Sequence, residues 1–312
     1  MIKSNGLKTL NDYFTRSEEM YGSNPFLKYT ENGKDRSVSY SEFMNRARKF
    51  AGYVRAYNRS EGRKANVALI GRTGYDYLTV ITGTVYAGSV IVPLDSQMNA
   101  ETLADHLRRS DAEILFYDND LEDTVNEALK SCPDVHEAHS ISDTKTLDDL
   151  ISGHPEDIRI DDILPDECAF IIYTSGTTGK SKGVMLSHKN MLSTILPVKP
   201  NAELENGNVC AFLPPHHVFA LNCDFLYAFR FGMALCMCSD ISHFIDDIKK
   251  YQPVTVHIVP MMVKAIHRAL INAQDSHPEM SKCEIKDLVL GEKFSRILSG
   301  GGGLPEVPNG AA

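Results

Sequence analysis

The residues with the plainest chemistry lie between 170 and 187, FIIYTSGTTGKSKGVMLS. An apolar run leads into a turn with three glycines, five hydroxyl residues and two lysines, and a second apolar run follows. Glycines let several backbone N–H groups crowd around one anion. Thr174, Ser175, Thr177 and Thr178 add hydroxyl donors, and Lys180 and Lys182 add positive charge. This is chemistry for holding a polyphosphate. A P-loop of the form G-x-x-x-x-G-K-[ST] is disfavoured, because Gly179-Lys180-Ser181 fits its end but Thr174 stands where the first glycine is required. Nor does a helix begin at the lysine, since Gly183 and the β-like residues 184–186 intervene.

A loop of this kind needs a rigid frame. Short β-branched runs alternate with helical patterns along most of the chain. Strands are expected at 67–70, 90–92 and 114–117, with helices at 77–86, 102–109 and 121–129. A second series has strands at 169–173, 209–213, 234–238 and 254–259, with helices after Ser187 and at 221–229, 245–251 and 262–271. Such alternation implies an α/β protein with largely parallel sheets covered by helices. Between the series, residues 152–167 are acidic, hold two prolines and lack an apolar period. A first β/α subdomain is therefore expected at 1–160 and a second, carrying the phosphate loop, at 161–312. One early helix is specified in detail. Ser39-x-x-Glu42 reads as a capping box, and Phe43, Ala47, Phe50, Val54 and Tyr57 follow as one apolar stripe.

Composition narrows the function. The 312 residues are 43% hydrophobic and 23% charged, enough for one large core or two smaller ones. With 32 Lys+Arg against 41 Asp+Glu the formal charge is −9, which argues against nucleic acid as the main ligand. The apolar stretch 209–238 is interrupted by Pro214-Pro215, His216-His217, Asp224 and Arg230, so no membrane span is expected. The N-terminus lacks the apolar run of a signal peptide, and seven scattered cysteines suggest reduced thiols in the cytoplasm. Cys236-x-Cys238 is not a zinc spacing, and no metal ligand set is visible. Three further sites invite comment. His217 suits either a core or capping position or a pocket wall. Gly300 to Gly303 would let a flat ring lie on bare backbone, or would form a flexible tail. His188 is read as a first-turn helix residue and Asp95 as a strand-end turn residue, neither with a chemical role.

The segment YTSGTTGKSKG at 173–183 resembles the signature of the adenylate-forming (AMP-binding) superfamily, which includes acyl- and aryl-CoA synthetases, luciferases and nonribosomal adenylation domains. Ser181 stands where that signature commonly has proline. Further segments match in order. VSYSEFMNRARKFAGYV at 38–54 is similar to an early family helix, residues 87–118 to a βαβ stretch, and FLPPHHVFA at 212–220 to a segment bordering the acyl pocket. LSGGGGLP at 298–305 is similar to a strand-loop against adenine. The resemblance implies that Thr174, Ser175, Gly176, Thr177, Thr178, Gly179 and Lys182 grip the β- and γ-phosphates of ATP. It also implies that Gly300, Gly301 and Gly302 lie against adenine, and that His217 and Phe219 border the acyl pocket.

The activity so implied joins a carboxylic acid to coenzyme A through an acyl-adenylate, with ATP, Mg²⁺ and CoA as cofactor and co-substrates. An acyl-CoA synthetase is favoured over an amino-acid-activating domain, because no acidic anchor for an amino group stands out and Asp224 matches that role poorly. Parts that the family needs for adenylation are an aromatic-Gly-x-Thr-Glu motif, a ribose-binding aspartate and a C-terminal lysine, and none follows Pro305. The expectation is therefore an N-terminal portion with little or no turnover of its own, whose exposed apolar surface favours self-association. The alternatives are a non-catalytic module that binds a nucleotide or a partner, and one half of a split adenylating enzyme.

Overall fold

The structure, a computed structural model, describes residues 6–142, 144–156, 160, 162–174, 181–198, 204–238 and 241–299. Among these, the strands in chain order are β1 (Pro25–Glu31), β2 (Lys34–Ser39), β3 (Asn66–Ile70), β4 (Val90–Leu94), β5 (Ala112–Tyr117) and β6 (Glu137–Ser140). They continue with β7 (Cys168–Thr174), β8 (Lys182–Ser187), β9 (Asn208–Ala211), β10 (Ala234–Met237), β11 (Thr255–Ile258) and β12 (Arg296–Ser299). They form two six-stranded sheets, ordered β6-β5-β3-β4-β7-β8 and β12-β11-β9-β10-β1-β2. Within each sheet all neighbours are parallel except the last pair, β7–β8 in one and β1–β2 in the other. The α/β layering read from the sequence is thus present.

Burial explains why the central strands read as unbroken apolar runs. Residues 67–70 of β3 and 114–116 of β5 are buried throughout, because helices cover both faces. The expected division at 160/161 does not fall between the sheets. Strands β7 and β8 complete the first sheet, whereas β1, from the N-terminal hairpin, pairs with β10 at Leu27↔Leu235 and Lys28↔Cys236. Hydrogen bonding across some two hundred residues leaves no local trace in a hydrophobic pattern, so the hairpin was not placed by periodicity.

Side chains stitch the same seam. The Tyr40 hydroxyl donates to the carbonyls of Ala228 (2.6 Å) and Met233 (2.8 Å), and the Tyr13 hydroxyl donates to that of Leu226 (2.7 Å). Phe26, Phe43, Phe225 and Phe229 fill the space between them. The capping box is formed as expected: the Ser39 hydroxyl accepts from the Glu42 N–H and Glu42 Oε2 accepts from the Ser39 N–H at the head of helix Tyr40–Glu61. Among the described residues no helix is long and apolar enough to cross a membrane.

Candidate active site

A cavity of about 680 Å³ opens where the carboxyl ends of β4 and β7 face the segments following β9 and β11. Its size is that of a small-molecule site, and ligands in open α/β sheets characteristically lie beyond the carboxyl ends of the strands. Pro93, Leu94 and Asp95 reach it from the end of β4, and Ile172, Tyr173 and Thr174 from the end of β7. Opposite them stand Leu213, His216, His217, Val218, Phe219 and Ala220.

The two ends of the segment expected to bind phosphate are pinned together. Thr174 ends β7 and pairs across the antiparallel ladder with Lys182, the first residue of β8. Beyond this pair the Ser181 hydroxyl donates to the Thr174 carbonyl at 3.1 Å. Thr174 and Ser181 line the cavity, and Lys182, next in the chain after Ser181, is exposed. Ser175, Gly176, Thr177, Thr178 and Gly179 lie outside the described residues, as do Gly300, Gly301 and Gly302.

Tyr173 is fixed by contacts that the sequence did not suggest. Its ring stacks on His106 at 3.7 Å between centroids and 12° between planes, and its hydroxyl donates to the His106 carbonyl at 3.0 Å. The Arg109 guanidinium lies over the same ring at 5.6 Å. Burial pushes the His106 imidazole below its ordinary pKa, so it is held neutral. The only sign in the sequence was a basic helix end one strand away, which is common on helices that end in water.

The second wall begins at His217, which precedes the short helix Val218–Ala220. His216 and His217 lie with ring centroids 4.2 Å apart. Burial, reinforced by neighbouring His217 and opposed by Asp95, pushes His216 down to about 4, so it is neutral at physiological pH. The chain then passes through a π-helical turn, Leu221–Leu226, into helix Tyr227–Phe231. Such turns insert a residue and re-aim side chains, often near functional sites. Here the turn carries Asp224 inward, where its Oδ1 meets His257 Nδ1 on β11 at 2.6 Å with both residues buried. The structure therefore brings Thr174, His217 and Phe219 to one cavity. It leaves Asp95 as a turn residue whose carboxylate accepts from the Gln97 N–H, now also on the cavity wall. His188 opens helix His188–Ile195 as read, and its buried Nδ1 accepts from the Leu10 N–H at 3.3 Å.

Comparison with known proteins agrees with this geometry. The AMP-binding enzyme family matches residues 14–308. The chain is 25% identical over 252 residues to the rat long-chain-fatty-acid–CoA ligase ACSBG1, covering 73% of this chain and 34% of that protein. It is 26% identical over 223 residues to the oxalate–CoA ligase of Arabidopsis thaliana, covering 68% and 42% respectively. It thus spans about a third of the length of the first of these relatives. Among solved structures, the N-terminal domain of FACL13 from Mycobacterium tuberculosis superposes with a TM-score of 0.75 at 18% identity, over 96% of this chain and 71% of that one. The anthranilate CoA ligase AuaEII in complex with anthranoyl-AMP gives 0.76 at 15% identity, over 95% and 60%. The fold is that of the N-terminal domains of adenylate-forming enzymes, and with the family matching nearly end to end, the chain belongs to the AMP-binding enzymes.

Proposed function

We propose that this chain carries the nucleotide- and acid-binding portion of an ATP-dependent carboxylic acid:CoA ligase. The observation that carries the reading is that the base of the phosphate loop, at Thr174 and Ser181, shares one cavity with His217 and Phe219. A triphosphate gripped at one wall then lies within reach of a carboxylate held at the other. In the reaction a carboxylate oxygen forms a bond to the α-phosphorus of ATP, and the bond to pyrophosphate breaks. The thiol of CoA next attacks the acyl carbon and AMP leaves. The reading assigns Thr174, Ser175, Gly176, Thr177, Thr178, Gly179 and Lys182 to the β- and γ-phosphates, with Mg²⁺ accompanying the triphosphate. It assigns Gly300 to Gly302 to adenine and His217 with Phe219 to the acid. The cavity walls are largely apolar, with hydroxyls concentrated at the loop end, which suits an acid with a hydrocarbon body. The seven cysteines, none bonded to another, support a place in the cytoplasm.

Calorimetric titration with ATP tests the reading. Binding is expected, and Lys182→Ala, which removes a charge-assisted phosphate contact, should weaken it by roughly tenfold to a hundredfold, since such a contact contributes about 1.5–3 kcal/mol. ATP affinity that is absent, or unchanged in both Lys182→Ala and Thr174→Val, would remove the basis for the assignment.

A further inference from the structure

Behind the cavity wall lies a buried pair that the resemblance did not describe. Phe219 lines the cavity, and behind the Phe219 ring lies His257, edge to face at 6.3 Å and 83°. On β11, Val256 and Ile258 enter the apolar cluster that contains Phe244, Ile248 and Met262. Strand alternation therefore turns His257 to the opposite face, toward the π-helical turn and the cavity. Its ring is held between Phe219 and Tyr227, the latter at 6.2 Å and 88°. Asp224 reaches it from the π-helical turn at 2.6 Å, with Asp224 3% and His257 1% exposed. The second carboxylate oxygen, Asp224 Oδ2, has no partner among the described residues. An alkyl chain pushed past Phe219 would have to part this pair and leave a buried carboxylate unpaired, which is costly.

We infer that Asp224 and His257 act as positioning residues that hold Phe219 in place and close the acid pocket behind it, so that the site takes short- to medium-chain carboxylic acids. The inference rests on the proposed ligase reading and deepens it. Neither residue touches the acid. Asp224 orients the imidazole, the imidazole backs the Phe219 ring, and the ring sets the depth.

The test is the affinity of the chain for straight-chain carboxylates from butyrate to dodecanoate, measured calorimetrically with saturating ATP. Affinity should rise by about fourfold per added methylene while the chain is still being buried, then stop rising. In Asp224→Ala/His257→Ala, which empties the space without orphaning a charge, the break should move to longer acids. In Asp224→Leu/His257→Phe, which refills the space with apolar atoms, it should return to the wild-type length. Affinity for ATP should be unchanged in both. If the double alanine variant does not fold, His257→Asn keeps a donor for Asp224 in a smaller side chain, and should shift the break in the same direction. A break that stays at one length across these variants overturns the inference and leaves the acid-binding reading intact. If ATP binds and no carboxylate binds to any form, the ligase reading itself falls.

Discussion

A buried histidine titrates against the fold. His188 is 1% exposed, and burial, offset in part by Glu167, pushes it down to about 4. The unfolded chain binds its proton near the ordinary value of about 6.5, so between these pH values the unfolded state holds more protons. Stability is therefore full above about pH 6.5 and falls as the pH drops toward 4, by about 3 kcal/mol at most from this group. Urea unfolding at a series of pH values should show that loss, and His188→Asn should flatten it. A slope unchanged by the substitution would assign the loss to other groups. His216, also pushed down to about 4, contributes in the same direction. At this scale the sequence was informative wherever chemistry is local. The capping pair Ser39 and Glu42 could be read from neighbours in the chain. The placement of His217 at a pocket came from the family resemblance rather than from its neighbours, and residues 175–180 of the proposed phosphate loop lie outside the described residues. The Asp224–His257 pair could not be read from neighbours, because its partners lie 33 residues apart on different elements. Asp224 matches the role of an amino-group anchor poorly, and the structure pairs it with an imidazole.

Between elements, a tight constraint lies where helix Tyr75–Tyr86 crosses helix Tyr40–Glu61. A Cβ at Gly83 would stand 2.6 Å from the Ala47 carbonyl oxygen and 2.7 Å from Phe50 Cδ1. The first of these is backbone, so the helices would have to separate. Gly83→Ala should cost about 1–3 kcal/mol despite the better helix propensity of alanine, and thermal unfolding would register it. An equal or higher melting temperature would show that the crossing has slack. Nearby, Arg46 is buried against Asp76 and Asp148, with its guanidinium 4.3 Å from the Tyr75 ring, so the polar face of the same crossing is closed too. The helices and parallel strands themselves were legible from their periods, usually to within a few residues. The π-helical turn was read as plain helix, because an inserted residue does not disturb an apolar pattern enough to be seen.

Over the whole molecule, the two sheets share the chain rather than divide it. A fragment ending at residue 160 would lack β7 and β8 from the first sheet and would leave β1 and β2 without β10. Such a fragment should not unfold cooperatively, and limited proteolysis should degrade it much faster than the full chain. A fragment with native-like near-ultraviolet dichroism and a sharp transition would show that the division expected at 160/161 is a real folding boundary. The order of strands in a sheet was the least legible feature, since pairing is decided by the packing of faces far apart in sequence.

That interleaving sets a timetable for biosynthesis. Leu27 emerges from the ribosome long before Leu235, the residue it must lie beside. At roughly 5–20 residues per second the hairpin waits about ten to forty seconds for its neighbour. Over that interval Phe26 and Leu27, fully buried in the finished protein, must be shielded by provisional contacts or by a chaperone. Slow codons placed between the two would lengthen the wait and should raise the fraction lost to aggregation.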